Sequence, residues 1–446
     1  MFGEKTNRAT LHAQYSPRVN ALVSGAYEVA MQLARGAAAL APAGGGKLRA
    51  TFRARRGIRA RYARWARESR DSRPLVWMHA SSVGEGLQAR PVLAALRGAH
   101  PEIRLAYTFF SPSAEQFAGS LAVDFADYLP FDSRGDARAA LDALRPRVLA
   151  FSKLDLWPAL VAAAHARGAR LALVSATLSA RSSRRSPMAA ALTRDAYATL
   201  DAVGAIDEED AERLIGIGVR RDVVTITGDT RYDQVWARAR AIEERETVLA
   251  PLRSDRPTLV AGSTWPADER ELLPAWVRTR ARVPDARLII APHEPDPRHL
   301  APIERWAREH GLALARTSAR EAASAADVLL VDGVGMLGDL YALASVAYVG
   351  GGFHDAGLHS VLEPASFGVP VLFGPRHESS RDASLLEACG GGISVADGAA
   401  LGAGLAEWLT DGEARTQAGA NAKSMVESGT GASARSVAII EALLGG

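Results

Sequence analysis

One cysteine, Cys389, occurs in 446 residues. That excludes an internal disulfide framework and any cysteine-cluster metal site, and it fits a reducing compartment. HExxH and CxxC are absent, and the histidines do not cluster at metal-ligand spacings. Neither half of the chain carries GxGxxG after its first strand, nor a GxxxxGK[ST] loop. The corresponding segments read HASSVGEG (79–86) and AGSTWPADE (261–269), which disfavours dinucleotide oxidoreductases and P-loop kinases. No GxSxG nucleophile elbow is present. An uninterrupted apolar span is missing as well. Residues 19–42 are mostly apolar, but Glu28, Gln32 and Arg35 break the run, and a crossing helix needs about 20 apolar residues. No cleavage signal follows a charged start and an apolar run.

What is present is globular: 48% hydrophobic and 23% charged residues. The length calls for two or three domains. The formal charge of +3 is small but unevenly placed. Residues 47–70 hold Lys47 and nine arginines against Glu68 alone, with Phe52, Ile58, Tyr62 and Trp65 at roughly helical spacing. A solvated helix face is the bland reading of this run. A surface for anionic lipid is the functional one, and nucleic acid is disfavoured. Residues 1–70 are therefore expected to form an amphipathic, membrane-associated segment that is neither cleaved nor crossing. A flexible joint is expected at PAGGGK (42–47).

From Pro74 the chain alternates short apolar runs with helical patterns. LVWMHA, IRLAYTFF, VLAFSK, RLALVSA and AVGAIDE read as strands separated by helices. That rhythm implies a parallel sheet covered on both faces. Residues 231–257 then read as one long charged helical stretch. The rhythm restarts at TLVAGS and continues through ARLIIAPHE, LALART, DVLLVDG, VAYVGGG, PVLFGP and GGISVAD. The fold class is α/β, with two doubly wound Rossmann-like domains expected over 71–240 and 241–446. Ligands of such domains bind beyond the carboxyl ends of the strands, so the strand-end loops hold the candidate residues.

SSVGEG places Glu85 at or beside the first turn of a helix, either as an ordinary first-turn carboxylate or as a general base. FSKLDLWPAL (151–160) places Lys153 and Asp155 after a strand, and TGDTRYD (227–233) does the same for Arg231. In the second half, APHEP presents Pro292 and His293. GVGM supplies a flexible loop with Val334, Gly335 and Met336. GGGFHDAGLHSVLEP (350–364) combines a glycine-ended strand with a short apolar helix carrying Ser360, Val361, Leu362 and Glu363. Glycines permit close backbone approach, a helix start receives a phosphate, and a carboxylate one turn in suits a ribose diol. Together they suit a sugar-nucleotide.

The ordered set SVGE, DLWP, TGDTRYD, AGSTW…DE, APHEP, GMLGDLY and GGGFHDAGLHSVLEP resembles the 3-deoxy-D-manno-octulosonic acid (Kdo) transferases of lipopolysaccharide synthesis, over about residues 50–430. The resemblance implies a GT-B fold whose domains face a cleft. It implies inverting transfer of Kdo from CMP-Kdo to a lipid A precursor (lipid IVA), at the cytoplasmic face of the bacterial inner membrane. It implies that Glu85 is the catalytic base and that Arg231 stands where the family has a basic residue. A family carboxylate position falls on Lys153, which cannot do what a carboxylate does but could pair with the carboxylate of Kdo. The CMP contacts it implies are Pro292, His293, Val334, Gly335, Met336, Ser360, Val361, Leu362 and Glu363. Ser360 replaces a common asparagine, and His293 a common arginine. CMP leaves with one phosphate, so no metal and no cofactor are expected. No nucleic acid partner is expected either. The rival readings are a GT-B enzyme acting on a UDP-sugar (a transferase or a UDP-N-acetylglucosamine epimerase) and a membrane-surface scaffold with a decayed site.

Overall fold

The computed structural model describes residues 17–40, 47–180, 182–319 and 323–445. The joint expected at 42–47 falls, apart from Lys47, outside them. Two compact units are present. The first comprises residues up to Gln234 together with 431–446, and the second runs from Val235 to Thr430.

The first unit is a seven-stranded parallel sheet: β1 (Leu75–His79), β2 (Arg104–Phe109), β3 (Phe125–Tyr128), β4 (Val148–Ser152), β5 (Arg170–Ala176), β6 (Ala202–Ala205) and β7 (Val224–Ile226). The spatial order is β3-β2-β1-β4-β5-β6-β7. The order reverses between β1 and β4, where an open α/β sheet forms its crevice. β1 and β4 are buried at every position. Strands covered on both faces read as continuous apolar runs, which is why these were recognisable. β3 was not anticipated: its pattern is mixed, with only Phe125 and Tyr128 buried.

Helices Lys47–Ala54 and Ile58–Glu68 pack into this unit rather than standing apart from it. Ile58 and Tyr62 belong to its core. Much of the arginine run is engaged internally. Arg55 is buried and donates to the carbonyls of Leu129, Thr51 and Phe110. Arg59 pairs with Asp136, and Arg61 with Asp127 at 2.7 Å. The preceding helix, Pro17–Leu40, is clipped on by Tyr27, which donates to Asp132 at 3.0 Å, and by Glu28, which accepts from the backbone of Arg134. No helix among the described residues is long and apolar enough to cross a membrane.

The second unit is also a seven-stranded parallel sheet: β8 (Thr258–Thr264), β9 (Arg287–Pro292), β10 (Leu314–Arg316), β11 (Val328–Leu330), β12 (Val346–Val349), β13 (Val371–Phe373) and β14 (Gly392–Ser394), in the order β10-β11-β9-β8-β12-β13-β14. Its reversal lies between β8 and β12. Alternate residues feed two cores, one on each face: Leu259 and Ala261 on one side, Val260 on the other. The stretch expected as one long helix is broken into Thr230–Arg240, a 3-10 turn Ile242–Arg245, and Glu246–Leu249. In a continuous helix Arg238 and Arg245 would sit about 10 Å apart along the axis. The break lets both reach the buried Asp339, at 2.7 and 3.0 Å.

The chain returns to the first unit through helix Ala432–Gly445. Its Val437 and Ile440 enter the first core. Asp233 accepts from the backbone of Gly431 (2.6 Å) and Ser433 (2.8 Å), and Glu441 meets His100 at 2.6 Å.

Candidate functional site

In the first unit the candidates Glu85 and Lys153 stand at the β1/β4 reversal, and Arg231 follows the edge strand β7. Ser82 caps helix Val83–Ala99, and Glu85, its third residue, closes a capping box. Glu85 Oε2 accepts the Ser82 backbone N–H at 2.8 Å and also meets the Ser82 hydroxyl. The half-buried carboxylate is thus oriented by the loop that follows β1. Ser152 Oγ, at the end of β4, donates to the Glu85 carbonyl at 3.0 Å, joining the two loops. The next residue, Lys153, has φ 65. A left-handed lysine costs about 1–3 kcal/mol and persists only where its surroundings enforce it. Among the described residues its half-buried ammonium has no hydrogen-bond or ion-pair partner. Thr230 Oγ1 donates to the Gln88 carbonyl at 2.8 Å, so the loop carrying Arg231 is tied to the helix of Glu85. The Arg231 guanidinium is paired with Asp229 at 2.7 Å.

Sequence reasoning missed the polar network beneath these loops. His79, fully buried at the end of β1, contacts Thr108 Oγ1 through Nδ1 (2.9 Å) and Ser81 Oγ through Nε2 (3.1 Å). The Trp157 indole N–H donates to Nε2 at 3.0 Å. An indole only donates, so the ring proton is assigned to Nδ1. Burial pushes the imidazole down to about 4. Burial works against the charge of Asp155, yet a hydrogen bond with Ser81 and the pair with Arg184 hold its carboxyl below the ordinary range. Ser81, Asp155 and Trp157 line a cavity of about 300 Å³ with Tyr27, Phe110 and Leu192. Phe110 and Trp157 stack at 5.0 Å. The signal that could have found His79 is a polar residue closing an otherwise apolar strand.

His79 yields a pH prediction. Its folded pKa is depressed, so the unfolded chain takes up the proton first. Stability is full above about pH 6.5 and falls as pH drops toward 4, by roughly 3 kcal/mol. Urea denaturation at about pH 7.5 and about pH 5 should show a drop in midpoint for the native chain and a smaller one for His79→Gln. Equal drops would remove His79 as the cause.

In the second unit the candidates gather at the β8/β12 reversal. Pro292 ends β9, and the His293 backbone donates to the Thr264 carbonyl at 2.9 Å. Trp265 stacks on His354 (4.3 Å) and on His293 (4.5 Å), while His293 stacks on His359 (4.6 Å). The Trp265 indole N–H donates to His359 Nε2 at 3.1 Å. Burial, then the neighbouring His293 and His354, hold His359 below the usual histidine range. Beneath this pile lies Asp268, fully buried and not anticipated as a site residue. It accepts from Gly351 N (2.8 Å), Trp265 N (2.9 Å), Tyr348 OH (2.9 Å) and Phe353 N (3.2 Å). Gly350 and Gly352 admit neighbouring backbone: a Cβ on either would collide with Ser263 or Gly374.

Glu363 sits in a five-residue helix, Leu362–Ser366, so Ser360 and Val361, expected on the helix, precede its first residue. Val361 and Leu362 are buried, so only their backbone can meet a ligand, whereas Ser360 is exposed. Burial lifts the Glu363 carboxyl above the ordinary range, Arg238 opposes this, and Asp339 adds to it. Arg238 also donates to the Gly335 carbonyl at 3.4 Å, linking the loop of exposed Val334, Gly335 (φ 92) and Met336 to Glu363. Among the described residues Glu294, Asp296 and His299 place ligand atoms within 4.8 Å of one another and could share a cation. Asp296 is already engaged as the cap of helix Pro297–Glu309.

Residues 55–234 match the family described as 3-deoxy-D-manno-octulosonic-acid transferase (kdotransferase). A 3-deoxy-D-manno-octulosonic acid transferase of Bordetella pertussis is 33% identical over 319 residues, covering 69% of this chain and 73% of the relative. One from Chlamydia muridarum is 30% identical over 335 residues, covering 72% and 75%. Among solved structures, UDP-GlcNAc 2-epimerase from Neisseria meningitidis, bound to UDP-GlcNAc, superposes with a TM-score of 0.60 at 15% identity. It covers 83% of this chain and 100% of that one. The likeness shows the fold: paired Rossmann-like α/β units of the GT-B class.

Proposed function

The chain belongs to the 3-deoxy-D-manno-octulosonic acid transferase family, and on that premise we propose that it moves Kdo from CMP-Kdo to a lipid A precursor, with inversion, at the inner-membrane surface. One observation carries the reading. The residues matching the family's motifs follow the carboxyl ends of strands: SVGE and DLWP at the β1/β4 reversal and TGDTRYD after β7 in the first unit, the rest around the β8/β12 reversal in the second, and open α/β sheets bind ligands at such ends.

The chemistry follows from the residue types. Glu85, oriented by its capping box, takes the proton of the acceptor hydroxyl as that oxygen attacks the anomeric carbon. The bond from that carbon to the phosphate oxygen breaks, and CMP departs. Lys153 faces the Kdo carboxylate, and Arg231 supports the charge that develops in the transition state. Pro292, His293, the loop Val334–Met336, Ser360, the backbone of Val361 and Leu362, and Glu363 hold the nucleotide. Glu363 receives the ribose hydroxyls. Incubating the purified chain with CMP-Kdo and lipid IVA, and weighing the product, tests the assignment. Absence of a Kdo adduct, or stronger binding of UDP than of CMP, overturns it.

Glu363→Ala is expected to weaken CMP binding by roughly 1–3 kcal/mol, the range for a hydrogen bond to a charged group. Calorimetry decides, and unchanged affinity would leave Glu363 a helix carboxylate without a ligand.

Membrane docking would use the face left outward. Val29 (60% exposed) and Leu33 (70% exposed) lie one turn apart on Pro17–Leu40. Arg49, Arg53, Arg64 and Arg67 are exposed and without partners among the described residues. Each cation near an anionic surface contributes about 1 kcal/mol, so replacing these four by glutamine should cut co-sedimentation with anionic vesicles about tenfold or more. Retention equal to that of the native chain would exclude this face.

A further inference from the structure

The amino-terminal ends of β1, β4 and β5 frame a separate cavity of about 520 Å³, at the opposite edge of the first sheet from Glu85 and Lys153. Its lining includes Arg70, Arg73, Arg145, Arg147 and Arg167 against one acidic side chain, Asp142. Two of these cations are neutralised: Arg73 by Asp71 and Arg167 by Asp142, both at 2.8 Å. Asp71 is shared further with Arg104 at 2.9 Å.

Of the other three, Arg70 is held within the protein, and only Arg145 and Arg147 are left without a partner among the described residues. Arg70 has only 6% of its side chain exposed, and its ion-pair contact with Asp71 is a long 3.8 Å. Its N–H groups go to carbonyls instead: Leu144 (2.8 Å), Arg73 (2.9 Å), Arg145 (3.2 Å) and Asp71. Burial, then the charge of Arg145, hold it below the ordinary arginine range. Arg145 and Arg147 are exposed and have no hydrogen-bond or ion-pair partner for their guanidinium groups among the described residues. Arg145 caps helix Arg134–Leu144 in a left-handed conformation, φ 47. Glycine is the unstrained residue there, so an arginine is held at this position against its backbone preference.

Two unpaired guanidinium groups, Arg145 and Arg147, stand at one concavity beside the buried charge of Arg70, and a multiply charged anion would neutralise them. Guanidinium forks match phosphate oxygens bidentately and are more weakly hydrated than ammonium groups, so phosphate fits better than a small halide. We infer that this cavity is a binding site for a ligand carrying phosphate groups with at least two negative charges, distinct from the strand-end site. The phosphate can belong to a soluble diphosphate or to the headgroup of an anionic lipid.

The test uses the full chain and Arg145→Gln/Arg147→Gln, both exposed positions. Inorganic pyrophosphate is titrated by calorimetry near neutral pH and at low salt. Flotation is measured with phosphatidylcholine vesicles, with and without phosphatidic acid. The native chain should bind at least one of the two probes, and the double variant should bind it about tenfold or more weakly. CMP affinity, which the second unit carries, should not change and serves as the control for folding. Loss confined to pyrophosphate identifies a soluble ligand, and loss confined to phosphatidic acid identifies a lipid headgroup. If the double variant does not fold, the single change Arg147→Glu gives the same readout. A native chain that binds neither probe, or a variant that binds both as tightly as the native chain, overturns the inference.

Discussion

Glu85→Gln is expected to lower turnover roughly 10²–10⁴-fold while leaving CMP affinity nearly unchanged. The substitution is chosen for what it preserves. Glutamine at the third helical position can still accept from the Ser82 backbone and close the capping box. Helix Val83–Ala99 therefore keeps its start, and only basicity is lost. Glu85→Ala would remove the cap as well, at about 1 kcal/mol, and would confuse a structural with a chemical effect. The donor carbon is tertiary and gains positive character as CMP leaves. The acceptor hydroxyl is a poor nucleophile until its proton begins to depart. Product by mass spectrometry and CMP affinity by calorimetry make the paired measurement. Near-native turnover of the glutamine variant would take Glu85 out of the chemistry. Loss of turnover and CMP binding together would make it a structural residue.

Asp268→Ala is expected to abolish measurable CMP binding and to lower stability by roughly 3 kcal/mol or more. Three backbone N–H groups and the Tyr348 hydroxyl lose their acceptor, and each buried donor left unsatisfied costs about 1–3 kcal/mol. The Gly350–Gly352 turn and the Trp265 loop would separate, and the pile formed with His293, His354 and His359 would go with them. Asp268→Asn keeps one acceptor oxygen, so its loss should be intermediate. Thermal melting beside CMP calorimetry reads both effects. An alanine variant with native CMP affinity would show that the nucleotide does not depend on this anchor.

The sheets and the strand-end positions were legible because parallel strands buried on both faces leave apolar runs, and ligand loops follow their carboxyl ends. What stayed hidden depended on partners distant in the chain. Asp268 in AGSTWPADE looks like a first-turn carboxylate, and its role is set by Tyr348, Gly351 and Phe353, 80 or more residues away. The arginine run shows its charge but not its partners: Asp127 and Asp136 take up Arg61 and Arg59 from 66 and 77 residues downstream. The narrower basic face that remains could not be read from the run itself. Glu363 lies in the first turn of a short helix after the β12 glycines, but Arg238, whose charge acts on it, lies in the stretch that reads as one long charged helix.

Helix Ala432–Gly445 bears on how the protein is made. The second unit, Val235–Thr430, is one continuous stretch, whereas the first closes only when residues 431–446 arrive. During synthesis the unit translated first is therefore completed last. The apolar surface that receives Val437 and Ile440 stays uncovered while the whole second unit is still emerging. Chaperone demand and aggregation at high expression should concentrate in that interval. Substitutions at Val437 or Ile440 should lower the yield of folded protein more than their packing contribution implies.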